Sequence, residues 1–313
     1  MPELHTHYPI KEIADMKDFI TAAFVIIDDL YQSIAPTHIK NRRNIETALL
    51  HDSEIITISI VGELLTIDSE KAWLGFCRRN FSDLFPHFCH RTRFNRTRRG
   101  LFQIIELIRA EITKELGYLS DPLRIVDSIP VKVCEFGRAH FHKTFREQAA
   151  YSKNPSKKET YLGFKLHMLS TSDGYITDYA ITAANIDDRV AIWDLVAPYS
   201  GLTILGDKGY IGAKLAEELN GEKSICFLPL RRDNDEQQYE KRQRQIIFRQ
   251  RRRIETTASQ LAGQLNIERV LAKSLWGFIT RVITKLLAHS IGYFINAAMG
   301  KTNRALIKGL IFG

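Results

Sequence analysis

The chain has 313 residues, 44% of them hydrophobic, enough for one large domain or two ordinary ones. A net charge of +8 points to a polyanionic partner, with nucleic acid or an anionic membrane surface as the usual candidates. The four cysteines, Cys77, Cys89, Cys134 and Cys226, include no Cys-x-x-Cys pair, which argues against a zinc ribbon or finger and suits a reducing compartment. The cluster His87-Phe-Cys89-His90 lacks a second ligand pair and reads as ordinary structure. No run of about 20 residues is free of charge, so no transmembrane helix is expected. The start, "MPELHTHYPIKEIADMKDF", lacks a basic-then-apolar leader, so the expected location is the cytoplasm.

Residues 1–120 read as helical. "IKEIADMKDFITAAFVIIDDLYQSI" repeats apolar residues at helical spacing. "DSEIITISIVGELL" opens on Asp52-Ser53 as a cap, with Glu54 in the first turn, and "TIDSEKAWLGFCRRNF" repeats that logic with Asp68-Ser69. "RRGLFQIIELIRAEITKELG" is a further amphipathic helix that Gly117 would end. Short helices between capped turns suit a bundle of helix-turn-helix type. Arg91, Arg93, Arg96, Arg98 and Arg99 fall in "RTRFNRTRR" with no acidic neighbour in sequence, beside the aromatics of "FPHFCH", which marks a DNA-contact segment.

After Gly117 the pattern changes to β. "LRIVDSIPVKVC" reads as a strand, and "YLGFKLHMLSTSDGYITDYAITAAN" as two more joined by a "TSDG" hairpin turn. A helix capped by aspartate follows over 187–201, then the strand "LTILGD", a helix ending at Gly221, and the strand "ICFLPL". A strongly charged stretch from Arg231 to about Arg244 leads into a long helix from Ile246 to Leu271, and an apolar helix begins at Leu275. The order β-β-β-α-β-α-β-α predicts a three-strand antiparallel meander extended by two parallel strands, a mixed sheet flanked by helices. The first strand would be central, with the fourth parallel beside it.

Three carboxylates sit in unusual places. Asp127 interrupts the apolar strand "RIVDSIPV", where a carboxylate is costly unless something pairs with it. Asp207 follows the fourth strand in "TILGDKGYIG", with Gly206 and Gly209 expected to let the backbone turn tightly around it. Glu255 lies in the long helix just after Arg251, Arg252 and Arg253. Sites in open sheets gather at the carboxyl ends of parallel strands, so Asp127 and Asp207 can point into one crevice that Glu255 enters from a covering helix. Converging carboxylates repel, and Mg²⁺ relieves that repulsion while keeping positions for water and phosphate oxygens. Two such ions about 4 Å apart would serve both oxygens of a phosphodiester displacement.

With these residues in place, the chain resembles bacterial insertion-sequence transposases of the DDE type, whose catalytic domain has a ribonuclease H-like fold. The resemblance runs from about Leu123 to Leu265 and rests on "VDSIPV", "GFKLHML", "AANIDDR", "LGDKGYIG" and "RRIETTASQL". It is closest to the family that insertion-sequence catalogues number 982. It implies that Asp127, Asp207 and Glu255 are the catalytic, metal-holding triad, with 79 residues between the first pair and 47 between the second. Of the family's Tyr-x2-Arg-x3-Glu-x6-Lys pattern, Arg251 and Glu255 match, while Phe248 and Ala262 stand at the tyrosine and lysine positions. In "AANIDDR", Asn185 and Asp188 match a motif at the active-site edge, with a helix-cap role left open for Asp188.

The resemblance further implies two Mg²⁺ or Mn²⁺ ions, and Lys208, Arg251, Arg252 and Arg253 against phosphates. It implies an N-terminal region (1–120) that binds or dimerises on the terminal inverted repeats, and a catalytic domain over 121–313 that includes the C-terminal helices. The partners would be double-stranded transposon-end and target DNA, met in the bacterial nucleoid by a homodimer, with no membrane involved. A ribonuclease H-fold nuclease that cuts without joining and a domesticated DNA-binding protein are the alternatives. A tyrosine-type recombinase, with Tyr210 as its nearest nucleophile, fits less well.

Overall fold

In a computed structural model, residues 7–155, 157–232, 235, 238–302 and 307–310 are described. Residues 1–6 of the start, and 233, 234, 236 and 237 of the charged stretch, lie outside them. The chain forms two compact units, one of Met1–Gly117 with Leu261–Gly313 and the other of Tyr118–Gln260.

The first unit is helical. Helix α1 (Met16–Ile34) starts where Asp15 accepts the amides of Lys17 and Asp18, at 2.7 and 2.9 Å. Helix α2 (Asp52–Leu64) is capped differently from the expectation. Glu54 reaches back to the amide of His51 at 2.6 Å, and Asp52 is buried, taking the Tyr31 hydroxyl at 2.7 Å and the Arg42 guanidinium. Helix α3 (Glu70–Asn80) does start on Ser69, whose hydroxyl accepts the Ala72 amide at 3.3 Å. The stretch expected to begin one helix at Arg98 is instead split: helix α4 (Arg91–Gly100) and helix α5 (Phe102–Glu115) meet at the buried Leu101. Gly117, at φ +73°, ends α5 as its sequence position predicts.

The last helix of this unit, α9 (Leu275–Ala298), was expected to accompany the sheet. It packs against α2 and α5 instead, because nearly every residue from Phe278 onward is buried and needs apolar surface all round. It is also long and apolar enough to cross a membrane by length and composition, against the expectation of no such segment, yet 94% of its most apolar window is buried inside the protein. Its two charges are paired within the core. Glu63 of α2 takes the Arg281 guanidinium at 2.9 and 3.0 Å and also the Lys285 ammonium.

The second unit is the expected mixed α/β fold. Its sheet has strands β1 (Leu123–Glu135), β2 (Ala150–Asn154), β3 (Glu159–Thr171), β4 (Ile176–Ala183), β5 (Thr203–Gly206) and β6 (Cys226–Pro229). Strand β3 pairs antiparallel with β1 along one edge and with both β2 and β4 along the other, while β5 and β6 add in parallel beyond β1. The short strand β2 carries too little apolar alternation to be expected from sequence. Gly174, at φ +91°, closes the hairpin between β3 and β4. Helix α6 (Asp188–Val196) and helix α7 (Ala213–Lys223) cover one face over Val126, Ile204 and Phe227. Helix α7 runs through Gly221 and ends where Ser224 takes the left-handed conformation at φ +54°. The long helix α8 (Lys241–Gly263) covers the other face with Ile247 and Ile254 against Ile125, Leu205 and Leu230.

Candidate active site

Side chains alternate across a strand, so the two cores on the sheet's faces tell where Asp127 points. Ile125 faces α8 and Val126 faces α6, which returns Asp127 to the α8 face. Strand β5 runs parallel to β1 with Ile125 opposite Leu205, also on the α8 face. Two residues further along, Asp127 lies within β1 and Asp207 is the first residue past the end of β5, close enough for its charge to act on Asp127. Each carboxylate accepts the amide of its following residue, Ser128 at 2.8 Å and Lys208 at 2.6 Å, which restrains each side chain against its own backbone.

Helix α8 brings a cation to this pair. Ile247, Arg251 and Ile254 follow the i, i+4, i+7 stripe that faces the sheet. Between its two apolar neighbours, the Arg251 guanidinium lies 3.2 Å from the Asp207 carboxylate. Burial raises the pKa of Asp127 to about 6, with the amide of Ser128 and Arg251 opposing the rise and the charges of Asp207 and Asp188 adding to it. Glu255 sits one turn beyond Arg251 on the same helix and is exposed. The structure thus brings Asp127, Asp207 and Arg251 together and leaves Glu255 at the rim. Among the described residues, no three of His, Cys, Asp and Glu are grouped closely enough to hold a metal ion.

The donor chemistry of the pair still suits a hard divalent cation. Two adjacent carboxylates, one with its pKa raised by burial and by like charge, gain from a nearby positive charge, and Arg251 supplies one.

The glycines around Asp207 act differently from the expectation. Neither Gly206 nor Gly209 has a positive φ. An added Cβ on Gly206 would lie 3.0 Å from the Phe227 ring and 3.3 Å from Tyr210 Cβ, so the position needs a bare backbone for close packing. The Cβ position of Gly209 lies 3.5 Å from Asp188 Oδ2.

Asp188 is the residue whose role the sequence left open. The cap of α6 is Asp187, which accepts the Arg189 amide at 2.9 Å. Asp188 turns to the sheet instead, taking Lys165 Nζ at 2.8 Å and the Ser128 hydroxyl at 3.3 Å, with His167 Nδ1 3.8 Å away. Ser128 and His167 are cross-strand partners, and Lys165 is two residues along, so all three share the α6 face. His167 is fully buried, which lowers its pKa to about 4 and keeps it neutral near pH 7. The signal was present as Lys-x-His in "GFKLHML", a polar alternation inside an apolar strand. Tyr210 is buried near Asp188, Asp127 and Asp207; desolvation and these three charges hold its pKa well above the usual value, which leaves it a poor nucleophile.

The basic residues divide. Arg91, Arg93, Arg96 and Arg252 are exposed, as contact with a polyanion requires. Arg253 is half-buried and Lys208 exposed. Arg98 departs from the expectation: it is 7% exposed and pairs with Glu70 at 3.1 Å. Glu70 also lies 3.7 Å from Arg91, so the arginine segment does have an acidic neighbour, supplied by another helix rather than by the local sequence.

A family model described as Transposase DDE domain matches residues 119–275. No curated protein and no solved structure matches the chain.

Proposed function

The chain belongs to the family of proteins with a DDE transposase domain, and from that premise we propose that it is the transposase of a bacterial insertion sequence, of the group numbered 982. In this reading it binds the terminal inverted repeats, hydrolyses a phosphodiester at the element's end, and joins the freed 3′-OH to target DNA. The observation that carries the reading is the convergence of Asp127 on β1 and Asp207 just past the end of the parallel strand β5, with Arg251 against Asp207, inside the matched segment.

Asp127, Asp207 and Glu255 form the triad. They would hold Mg²⁺ or Mn²⁺, two ions per site, which when bound supply Lewis-acid stabilisation of the phosphodiester oxygens. The protein's own groups prepare the site. The amides of Ser128 and Lys208 orient the carboxylates. With a pKa of about 6, Asp127 is mostly ionised near pH 7. Glu255 has to swing inward from its exposed position to complete the set. Lys208, Arg251, Arg252 and Arg253 contact phosphates beside the cut, and the exposed arginines of α4 contact the repeats. The helical unit supplies end recognition and dimerisation, and the protein acts on DNA of the nucleoid.

The test is cleavage of labelled DNA carrying the element's own ends, with Mg²⁺ or Mn²⁺, beside Asp207→Asn. The wild type is expected to nick at the repeat end and join the 3′-OH to a second DNA, while the variant binds and does neither. Cutting without joining would indicate a nuclease, and binding without cutting by either protein would indicate a DNA-binding relic.

A further inference from the structure

The helical unit holds a cavity of about 310 Å³. Arg98 and Arg99 of α4, the start of α9 at Ser274 and Gly277, and the rings of Trp73 and Phe94 line it. Three features make its interior attractive to an anion.

The first is the helix start. The opening amides of α9 have no carbonyl partner within the helix and carry the positive end of a 24-residue dipole. The Gly277 amide is already capped by Ser274 Oγ at 3.2 Å, and an added Cβ at Gly277 would lie 3.2 Å from that oxygen and 4.0 Å from Arg99 Cδ. Arg99 therefore lies across the helix start, with its guanidinium 5.3 Å from the Trp276 ring centre.

The second is unspent donor capacity. Arg98 is more than nine-tenths buried and pairs with Glu70 through Nη2, yet its Nε has no hydrogen-bond partner, nor has the equally buried Nε of Arg99. Buried donors are normally paired, and leaving them empty is costly.

The third is the charge balance. The acids on the wall are already engaged: Glu63 by Arg281 and Lys285, Asp68 by Asn266 at 2.7 Å, and Glu70 by Arg98 and Asn95. Arg99 has no ion-pair partner among the described residues. The cavity thus presents the Arg99 guanidinium without a counter-charge beside the start of α9, with no free carboxylate to oppose them.

We infer that this cavity is an oxyanion site that takes one phosphate group of a DNA strand. The identification of DNA as the source rests on the transposase reading, whereas the phosphate chemistry of the cavity does not. The volume exceeds what a phosphate group fills, and the apolar faces of Trp73 and Phe94 leave room for the attached sugar. A free phosphate or mononucleotide shares this chemistry and is separated by the test.

The test uses the full chain. Inorganic phosphate is titrated by calorimetry and by tryptophan fluorescence, since Trp73 lines the cavity and Trp276 stacks with Arg99. Binding of a DNA duplex carrying the element's ends is then measured across salt concentrations. Arg99→Gln is expected to weaken phosphate binding by about tenfold or more, because it removes a charge-assisted contact. It should also lower the salt slope of DNA binding by about one. Arg93→Gln, an exposed neighbour on α4, should leave inorganic phosphate binding unchanged. Circular dichroism confirms that both variants fold. Absence of phosphate binding by the folded wild type, or equal weakening by both variants, would overturn the site. Phosphate binding that needs Arg99, with a DNA salt slope that does not, would overturn DNA as the source. Failure of DNA cleavage with phosphate binding intact would count against the transposase reading and leave the cavity standing.

Discussion

Asp207 sits where it does because of what surrounds a glycine. Gly206 ends β5 under the Phe227 ring and against Tyr210, where an added methyl group would be tight, at 3.0 Å from the ring and 3.3 Å from Tyr210 Cβ, and the ring would have to give way. Gly206→Ala is therefore expected to cost about 1–3 kcal/mol by overpacking. It should also displace the carboxylate that follows. A denaturant titration should show the lost stability, and the end-cleavage assay a larger loss of activity than the stability change alone explains. The sequence marked this glycine as important but assigned it the wrong cause. A glycine beside a carboxylate suggests a tight turn, whereas crowding by Phe227, 21 residues along the chain, is a tertiary fact that no local pattern carries. The same holds for Arg98. Five arginines in nine residues looked unopposed because Glu70, their partner, lies on another helix.

At the scale of elements, the sheet was largely legible and helix α8 only in part. Strands β1, β3, β4, β5 and β6 announce themselves by β-branched runs and a hairpin turn, and their chain order leaves few topologies open. That is why the sequence alone brings Asp127 and Asp207 to one crevice. The short β2 and the break at Leu101 have no such signal. Glu255 could be placed on a helix by periodicity, but its distance from the carboxylate pair depends on how that helix rests on the sheet. Part of that seating is one hydrogen bond, in which the buried Thr257 hydroxyl donates to the carbonyl of Gly174 in the hairpin turn at 2.8 Å. Thr257→Val keeps the shape and removes the donor. The expected cost is about 1 kcal/mol in chemical denaturation, the net worth of one such bond. Protection of the α8 amides in hydrogen exchange should fall with it.

For the whole molecule, the helical unit has a built-in sensitivity to acid. His289, fully buried in α9 beside Tyr293 with the ring centres 4.8 Å apart, has its pKa lowered to about 3 by burial and by the charge of Arg109. The folded protein keeps this ring neutral, whereas the unfolded chain protonates it near the ordinary value of 6.5. The unfolded state thus binds the extra proton first. Stability from this group is complete above pH 6.5 and is lost as pH falls toward 3, at up to about 1.4 kcal/mol per pH unit. His289→Leu should flatten the stability profile between pH 6.5 and 4 in denaturant titrations, whatever constant offset the substitution adds. An unchanged slope would place the acid sensitivity in the carboxylates instead.

The interrupted layout of the helical unit also sets an order of assembly. Helices α1, α2, α4 and α5 pack against α9, yet the whole sheet unit is made between them. Helix α2 packs on α1 and α4 as well as on α9, so the part of its buried surface that meets α9 must wait through that synthesis uncovered. Closing so long a loop costs chain entropy, and contacts this distant in sequence form slowly. A sheet unit that folds first by its local hairpins would shorten the search by drawing the two ends together. Until then the early helices are exposed to mispairing and aggregation, so the yield of folded protein should depend on chaperones and on temperature during synthesis more than its final stability suggests.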